Sequence, residues 1–171
     1  MQYCTQCGFE NTFSYIDGND RFHCNQCKTI HYQNPKPTAT LICMKDNQLL
    51  LGKRNRHPAK GAWGLIGGFM ELNETLQEAA LRELYEETHL KGEVLNIIGT
   101  TSHFNTVFGD ILLIGLIIKI TDWSTLKADD DISEAELFDI NNLPQLAFDS
   151  HQKLIDGLKV KLISELNMFT Y

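Results

Sequence analysis

Two short cysteine pairs, Cys4-x-x-Cys7 and Cys24-x-x-Cys27, stand sixteen residues apart and restrict the start of this chain more than any other feature. Each CxxC turn presents two sulfurs from one tight loop. Two such turns about 15–20 residues apart supply the four soft ligands of a tetrahedral zinc ion. The alternative is two disulfides, or unconnected thiols. The opening Met-Gln-Tyr-Cys has neither the basic start nor the apolar stretch of a secretory leader, which disfavours disulfides. Residues 1–34 carry too few apolar side chains to fold unaided, and metal binding would stabilise them. Four protein ligands leave no position for substrate, so the expected zinc is structural. His23 and His31 flank the pairs, but four cysteines already complete the set. Cys43, inside the apolar run Thr40–Met44, reads as a buried strand thiol.

Asn34-Pro-Lys-Pro37 is a stiff, extended connector and marks the expected boundary between a ribbon of residues 1–34 and a domain of residues 35–171. Of the 171 residues, 43% are apolar and 22% charged, which is ordinary for a soluble globular chain. A net charge of −7 offers no phosphate-neutralising surface for duplex nucleic acid. The longest apolar run, Ile111 to Ile118, is less than half of a membrane span of about 20 residues. A cytoplasmic protein without membrane contact is expected. Alternating patterns predict strands at 39–44 and 48–52, joined by Lys45-Asp-Asn47, and further strands at 94–101, 111–120 and 136–140. A helix is predicted from Thr75 to His89, where Thr75-x-x-Glu78 forms a capping box and Leu76, Ala79, Ala80 and Leu84 make one apolar stripe. A second amphipathic helix is predicted from Ser150 to Leu166. Strands alternating with helices indicate an α/β or α+β fold, a sheet covered by helices.

The segment from Gly68 to Leu90 carries the chemistry. Glu83, Glu86 and Glu87 are spaced i, i+3, i+4 and project from one helical face. Like charges at that spacing cost an isolated helix a few tenths of a kcal/mol per pair, and a cation between them reverses the sign. Hard carboxylate oxygens suit Mg²⁺ or Mn²⁺, which sit between carboxylates and substrate phosphates. The competing reading is a solvated acidic helix. Gly67-Gly68 weighs against it, since glycines allow close approach of metal or phosphate.

Gly68-x5-Glu74-x7-Arg82-Glu83-Leu84-x-Glu86-Glu87-x-His89-Leu90 resembles the Nudix box, G-x5-E-x7-R-E-U-x-E-E-x-G-U, with U apolar, at eight of nine specified positions over 23 residues. The departure is His89, where glycine would end the helix in a left-handed conformation. Histidine adopts that conformation at a cost of order 1 kcal/mol. Ile66 stands where a proline is frequent. A zinc ribbon joined to such a domain through His31-Tyr-Gln-Asn-Pro-Lys36 resembles the branch of NADH, FAD and ADP-ribose pyrophosphatases. The SQPWPFP motif of the NADH enzymes is replaced by Thr101-Ser-His-Phe-Asn-Thr106, which favours the FAD and ADP-ribose side.

The resemblance implies an α/β/α sandwich, the Nudix fold with a mixed sheet between helices, preceded by the small zinc-ribbon domain. It implies metal-dependent hydrolysis of the diphosphate in FAD, ADP-ribose or NADH, with release of a nucleoside monophosphate. Glu83 and Glu87 become ligands of Mg²⁺ or Mn²⁺, with Glu86 a third and the Gly67 carbonyl joining them. Arg82 and Glu74 become an orienting pair. Relatives use a further glutamate outside the box, and Glu134 matches it best, with Glu136 its close competitor. A solvated acidic loop after Asp129-Asp-Asp131 is the bland reading of the same stretch. Lys53, Arg54, Arg56 and Lys60 are placed to hold phosphate oxygens, or are a solvated basic loop. Phe104, like Tyr32 and Phe108, is a candidate to stack on a base, although strand aromatics more often pack cores. His103 reads as a surface or packing residue. A small nucleotide is the expected partner, and a homodimer follows from the resemblance alone. Two other functions compete: a nucleic-acid binder on a degenerate fold, and a nucleotide sensor without turnover. The intact glutamates favour catalysis.

Overall fold

The computed structural model describes residues 1–168, with side chains to residue 160. The end of the expected second domain, 169–171, lies outside the described residues. The chain divides into two compact units, Met1–Pro35 and the remainder from Lys36.

The first unit is an antiparallel sheet of β1 (Asn11–Ile16), β2 (Asn19–Cys24) and β3 (Ile30–His31). Its two cysteine turns repeat one geometry. Cys4 accepts at its carbonyl from Gly8 N–H, and Cys24 accepts from Lys28 N–H, both at 2.9 Å. Gly8 and Lys28 close the turns with positive φ, 75° and 62°. All four sulfurs lie within 4.8 Å of one another, with Cys4 to Cys27 at 3.6 Å and Cys7 to Cys24 at 3.5 Å. A disulfide needs about 2.05 Å. Zinc–sulfur bonds of about 2.3 Å place tetrahedral sulfurs roughly 3.8 Å apart. The cluster therefore fits a zinc ribbon and not two disulfides. Thr29 holds the Cys27 thiol down to about 6 through its hydroxyl and its N–H, which favours the thiolate that zinc needs.

The second unit is an α/β/α sandwich. Its elements are β4 (Lys36–Lys45), β5 (Gln48–Arg54), β6 (Trp63–Gly64), β7 (Ile66–Phe69), α1 (Leu76–Thr88), β8 (Glu93–Thr106), β9 (Gly109–Lys119), β10 (Ile132–Asp139) and α2 (Asp149–Met168). The central sheet runs β10-β5-β4-β9-β8, with β6 on β5 and β7 on β4. The β4–β9 pairing is parallel and the other strand pairings named here are antiparallel, so the sheet is mixed.

Alternation along the strands splits the core in two. Ala39, Leu41 and Cys43 of β4, with Leu50 of β5, pack toward Ala79, Ala80 and Leu84 of α1. Ile42, Leu49 and Leu51 face the other way, against Leu154, Ile155 and Leu158 of α2. Cys43 is buried on the α1 side as a strand thiol. Truncating one of these leucines to alanine costs about 2–5 kcal/mol in a well-packed core.

Several boundaries differ from the sequence reading, and three bear on the site. Strand β4 begins at Lys36, not 39, because Lys36 and Pro37 already pair beside Ile111 and Leu112. The connector is shorter by those two residues. Strand β8 runs on to Thr106, and β10 begins at Ile132, so Glu134 sits within a strand and not ahead of one. No helix among the described residues is long and apolar enough to cross a membrane.

Candidate active site

The local order of α1 follows its sequence. Thr75 caps the helix, and its hydroxyl accepts from Glu78 N–H while the Glu78 carboxylate accepts from Thr75 N–H. His89 ends the helix with φ 56°, the left-handed conformation that the missing glycine would adopt freely. Its ring bonds Asp129 at 2.9 Å and its carbonyl accepts from the Thr125 hydroxyl at 3.0 Å. These contacts offset the backbone cost, and the departure at His89 leaves the loop intact.

Arg82 organises the carboxylates. Its guanidinium grips Glu74 through two hydrogen bonds of 3.0 and 2.8 Å and reaches the Phe69 carbonyl at 3.1 Å. One further nitrogen bridges Glu83 at 2.8 Å and Glu86 at 3.0 Å. Glu74 is held at about 2 by this guanidinium, so the pair stays ionic. Glu87 turns inward, where its carboxylate accepts from Gly67 N–H at 2.9 Å. Burial pushes Glu87 up to about 8, and the neighbouring charges of Glu83 and Asp131 add to the shift. Burial raises Glu83 as well. The three glutamates do not converge as tightly as the cysteines do, because Arg82 draws the first two and Gly67 the third.

Gly67 and Gly68 are required sterically. Gly67 has φ 129°, and a side chain there would strike the Ala39 carbonyl of the neighbouring strand. A methyl on Gly68 would meet the Glu83 carboxylate at 2.5–2.7 Å. That carboxylate is the movable end of a side chain, so Gly68→Ala should displace it by about 1 Å and leave the fold standing. A displacement of that size costs about 10²-fold in rate. The expected outcome is a kcat reduced about 100-fold with a melting temperature within a few degrees of the wild type.

These groups line a cavity of about 490 Å³. Glu71, Glu83, Glu86, Glu87, Asp130 and Asp131 line it with Arg54, Arg56 and Arg82. The remaining lining is neutral or aromatic and includes Thr38, Thr40, Leu65, Leu113, Phe69, Phe108, His103, Phe148 and His151.

Of the basic residues expected to hold phosphate oxygens, Arg54 and Arg56 line this cavity, whereas Lys53 and Lys60 do not. Successive residues of β5 face opposite sides of the sheet. Lys53 is a cross-strand partner of Glu134, bonded at 2.9 Å. Glu134 is therefore taken up by Lys53 outside the cavity, and neither it nor Glu136 lines the cavity. The loop before β10 supplies Asp130 and Asp131 instead. Asp129 N–H bonds the Glu87 carbonyl at 3.0 Å and Asn55 N–H bonds the Asp131 carbonyl at 2.7 Å, which laces the loop to α1 and β5. Arg56 pairs with Asp130 at 3.3 Å and Asp131 at 2.7 Å. Only the run of three aspartates pointed to them in the sequence.

The aromatic expectation also shifts. Phe104 is 63% exposed and lies outside the lining, while its neighbour His103 lines the cavity and packs at a tilt against Phe148, with ring centroids 5.3 Å apart. Phe108 lines the cavity beside Phe69, with ring centroids 5.4 Å apart. Tyr32 belongs to the first unit, under the Arg21 guanidinium. Sequence reasoning missed Phe148, just ahead of α2, and His151, in its first turn.

The sequence pattern of the NUDIX domain matches residues 35–158. The chain belongs to the Nudix family. It is 44% identical over 125 residues to an ADP-ribose pyrophosphatase of Methanocaldococcus jannaschii, covering 72% of this chain and 73% of that one. It is 30% identical over 148 residues to the NAD-capped RNA hydrolase NudC of Vibrio atlanticus, covering 86% of this chain and 52% of the relative. The chain thus spans about half the length of that NudC. A Nudix hydrolase structure from Nitrosomonas europaea superposes with a TM-score of 0.78 at 32% identity, covering 93% of this chain and 89% of that one. This Nudix chain is an enzyme of the nucleoside-diphosphate hydrolase type, and Nudix hydrolases need a divalent metal. The box carboxylates and the cavity they line fit that requirement.

Proposed function

We propose that the enzyme hydrolyses the diphosphate of ADP-ribose or a close relative such as FAD or NADH, releasing AMP and the phosphorylated second moiety. One observation carries this reading: carboxylates and neutral or aromatic side chains line one cavity. The carboxylates suit a cation-bound diphosphate, and the neutral and aromatic groups suit a base and sugar.

Glu83, Glu86 and Glu87 would hold Mg²⁺ or Mn²⁺, joined by the Gly67 carbonyl and the loop residues Asp130 and Asp131. When bound, the cation offsets diphosphate charge and lowers the pKa of water. Arg82 and Glu74 keep the carboxylates oriented, and Arg54 and Arg56 face the phosphate oxygens. Phe108, beside Phe69, offers its exposed ring to a base. In the reaction, oxygen of water bonds one phosphorus, the bridging P–O bond breaks, and the proton of water passes to a carboxylate or to solvent. Zinc is the ion proposed for the ribbon, which with the catalytic unit forms two domains. The family resemblance favours a homodimer, and the composition favours the cytoplasm.

Product analysis tests the proposal. Purified protein with Mg²⁺ or Mn²⁺ is offered FAD, NADH, NAD⁺ and ADP-ribose in parallel. AMP released fastest from ADP-ribose is the expected result. Binding of the nucleotides with none of them cleaved would point to the sensor and overturn the enzyme reading.

A further inference from the structure

The chain changes strand partner at Leu65. Gly64 pairs with Gly52 on β5, and Ile66 pairs with Leu41 on β4. The N–H between them donates to no strand. It donates instead to Nδ1 of His151 on α2, at 3.0 Å. A ring nitrogen that accepts from an N–H carries no proton, so this bond assigns the imidazole proton to Nε2.

Nε2 makes no hydrogen bond among the described residues, yet it is not sealed off as the nearby Ser150 hydroxyl is. His151 lines the cavity. Its ring is locked in place. Gly64 lies so close that a methyl there would meet Nδ1 and Cε1 at 3.1 and 3.2 Å, and Phe148 stands edge-on at 5.3 Å. Burial, with the positive charge of Arg54 and the ring of His103 nearby, keeps the imidazole neutral down to about 3. A ring that does not titrate in the working range is a fixed donor, not an acid or base.

We infer that His151 is a substrate-orienting residue whose Nε2–H hydrogen-bonds an uncharged acceptor oxygen, a hydroxyl or a carbonyl, on the substrate outside its diphosphate. This rests on the hydrolase reading above. Arg54, 5.1 Å from the Phe148 ring that stands against His151, carries the charge that suits the diphosphate. The imidazole beside it is an uncharged donor, bonded to Leu65 among the neutral groups of the lining, and it suits the sugar or base next to that diphosphate.

Two variants separate holding Leu65 from holding substrate. His151→Asn sets an amide oxygen near the place of Nδ1, keeping the acceptor and removing the donor. His151→Gln sets an amide nitrogen near the place of Nε2, keeping the donor and losing the acceptor. Both are assayed on ADP-ribose and on the methyl ester of ADP, which has no terminal sugar. His151→Asn should raise KM about 10-fold, equally from pH 5 to 8, with kcat little changed. His151→Gln should keep KM within about twofold while melting earlier. A penalty on both esters puts the oxygen in the shared adenosine half, and a penalty on ADP-ribose alone puts it in the terminal ribose. Either supports the inference. Unchanged KM in His151→Asn, or equal changes in both variants, overturns it. A wild type that cleaves neither ester overturns the hydrolase reading first, and the inference with it.

Discussion

Replacing Glu87 by glutamine should cost about 10³-fold or more in turnover and make the metal-free protein more heat-stable. The two effects share one cause. Glu87 is buried, with 6% of its surface exposed, and among the described residues its carboxylate accepts one hydrogen bond, from Gly67 N–H. Folding without metal buries a group that prefers water when ionised. Glutamine keeps the acceptor for Gly67 and removes the charge. The sign can be followed with pH. The folded-state value of about 8 lies above the ordinary 4.5, so the folded chain binds more protons than the unfolded chain between those values. Metal-free stability therefore falls as pH rises through that window, by up to about 1.4 kcal/mol per pH unit. The gain from Glu87→Gln should be absent near pH 4 and largest above pH 8. Added Mg²⁺ should raise the wild-type melting temperature and barely move the variant's, because binding to the folded state alone stabilises it. Calorimetry with and without Mg²⁺ at pH 5 and 8, beside kcat, checks all of this. A variant that keeps wild-type turnover would remove Glu87 from the metal site.

What the sequence made legible is what local geometry determines. Glu83, Glu86 and Glu87 share a face because an α-helix repeats every 3.6 residues, whatever packs around it. Thr75 and Glu78 mark the helix start within four residues, and the alternation in Thr40–Met44 foretells a strand with two buried faces. The sense of an alternation is not local. Lys53 or Arg54, and His103 or Phe104, could each face the cavity by pattern alone, and a one-residue choice decides which does. The bulge between Ile132 and Glu134 adds a second such choice and turns Glu134 to Lys53. His151 and Phe148 reach the cavity across more than 80 residues of chain from Leu65, by a contact that no spacing encodes. The arrangement around Asp130 and Asp131 depends likewise on backbone bonds to Glu87 and Asn55.

Removing the ribbon's metal should unfold residues 1–35 and leave the catalytic unit standing. The first unit buries little beyond Cys4, Cys24 and His31, whereas both apolar clusters belong to the second. Metal ligation in such small domains supplies on the order of 10 kcal/mol of folding free energy, far more than three short strands can replace. The chain offers a clean reporter, since both tryptophans, Trp63 and Trp123, lie in the catalytic unit. Cys24→Ala, or a strong zinc chelator, should abolish amide protection throughout residues 1–35 in hydrogen exchange. Tryptophan fluorescence and its thermal midpoint should stay within a few degrees of the untreated protein. Metal analysis of that protein should return about one zinc per chain, with the four thiols unreactive until the metal is withdrawn. Loss of the tryptophan transition along with the ribbon would show instead that the catalytic unit needs the zinc-bound segment to fold.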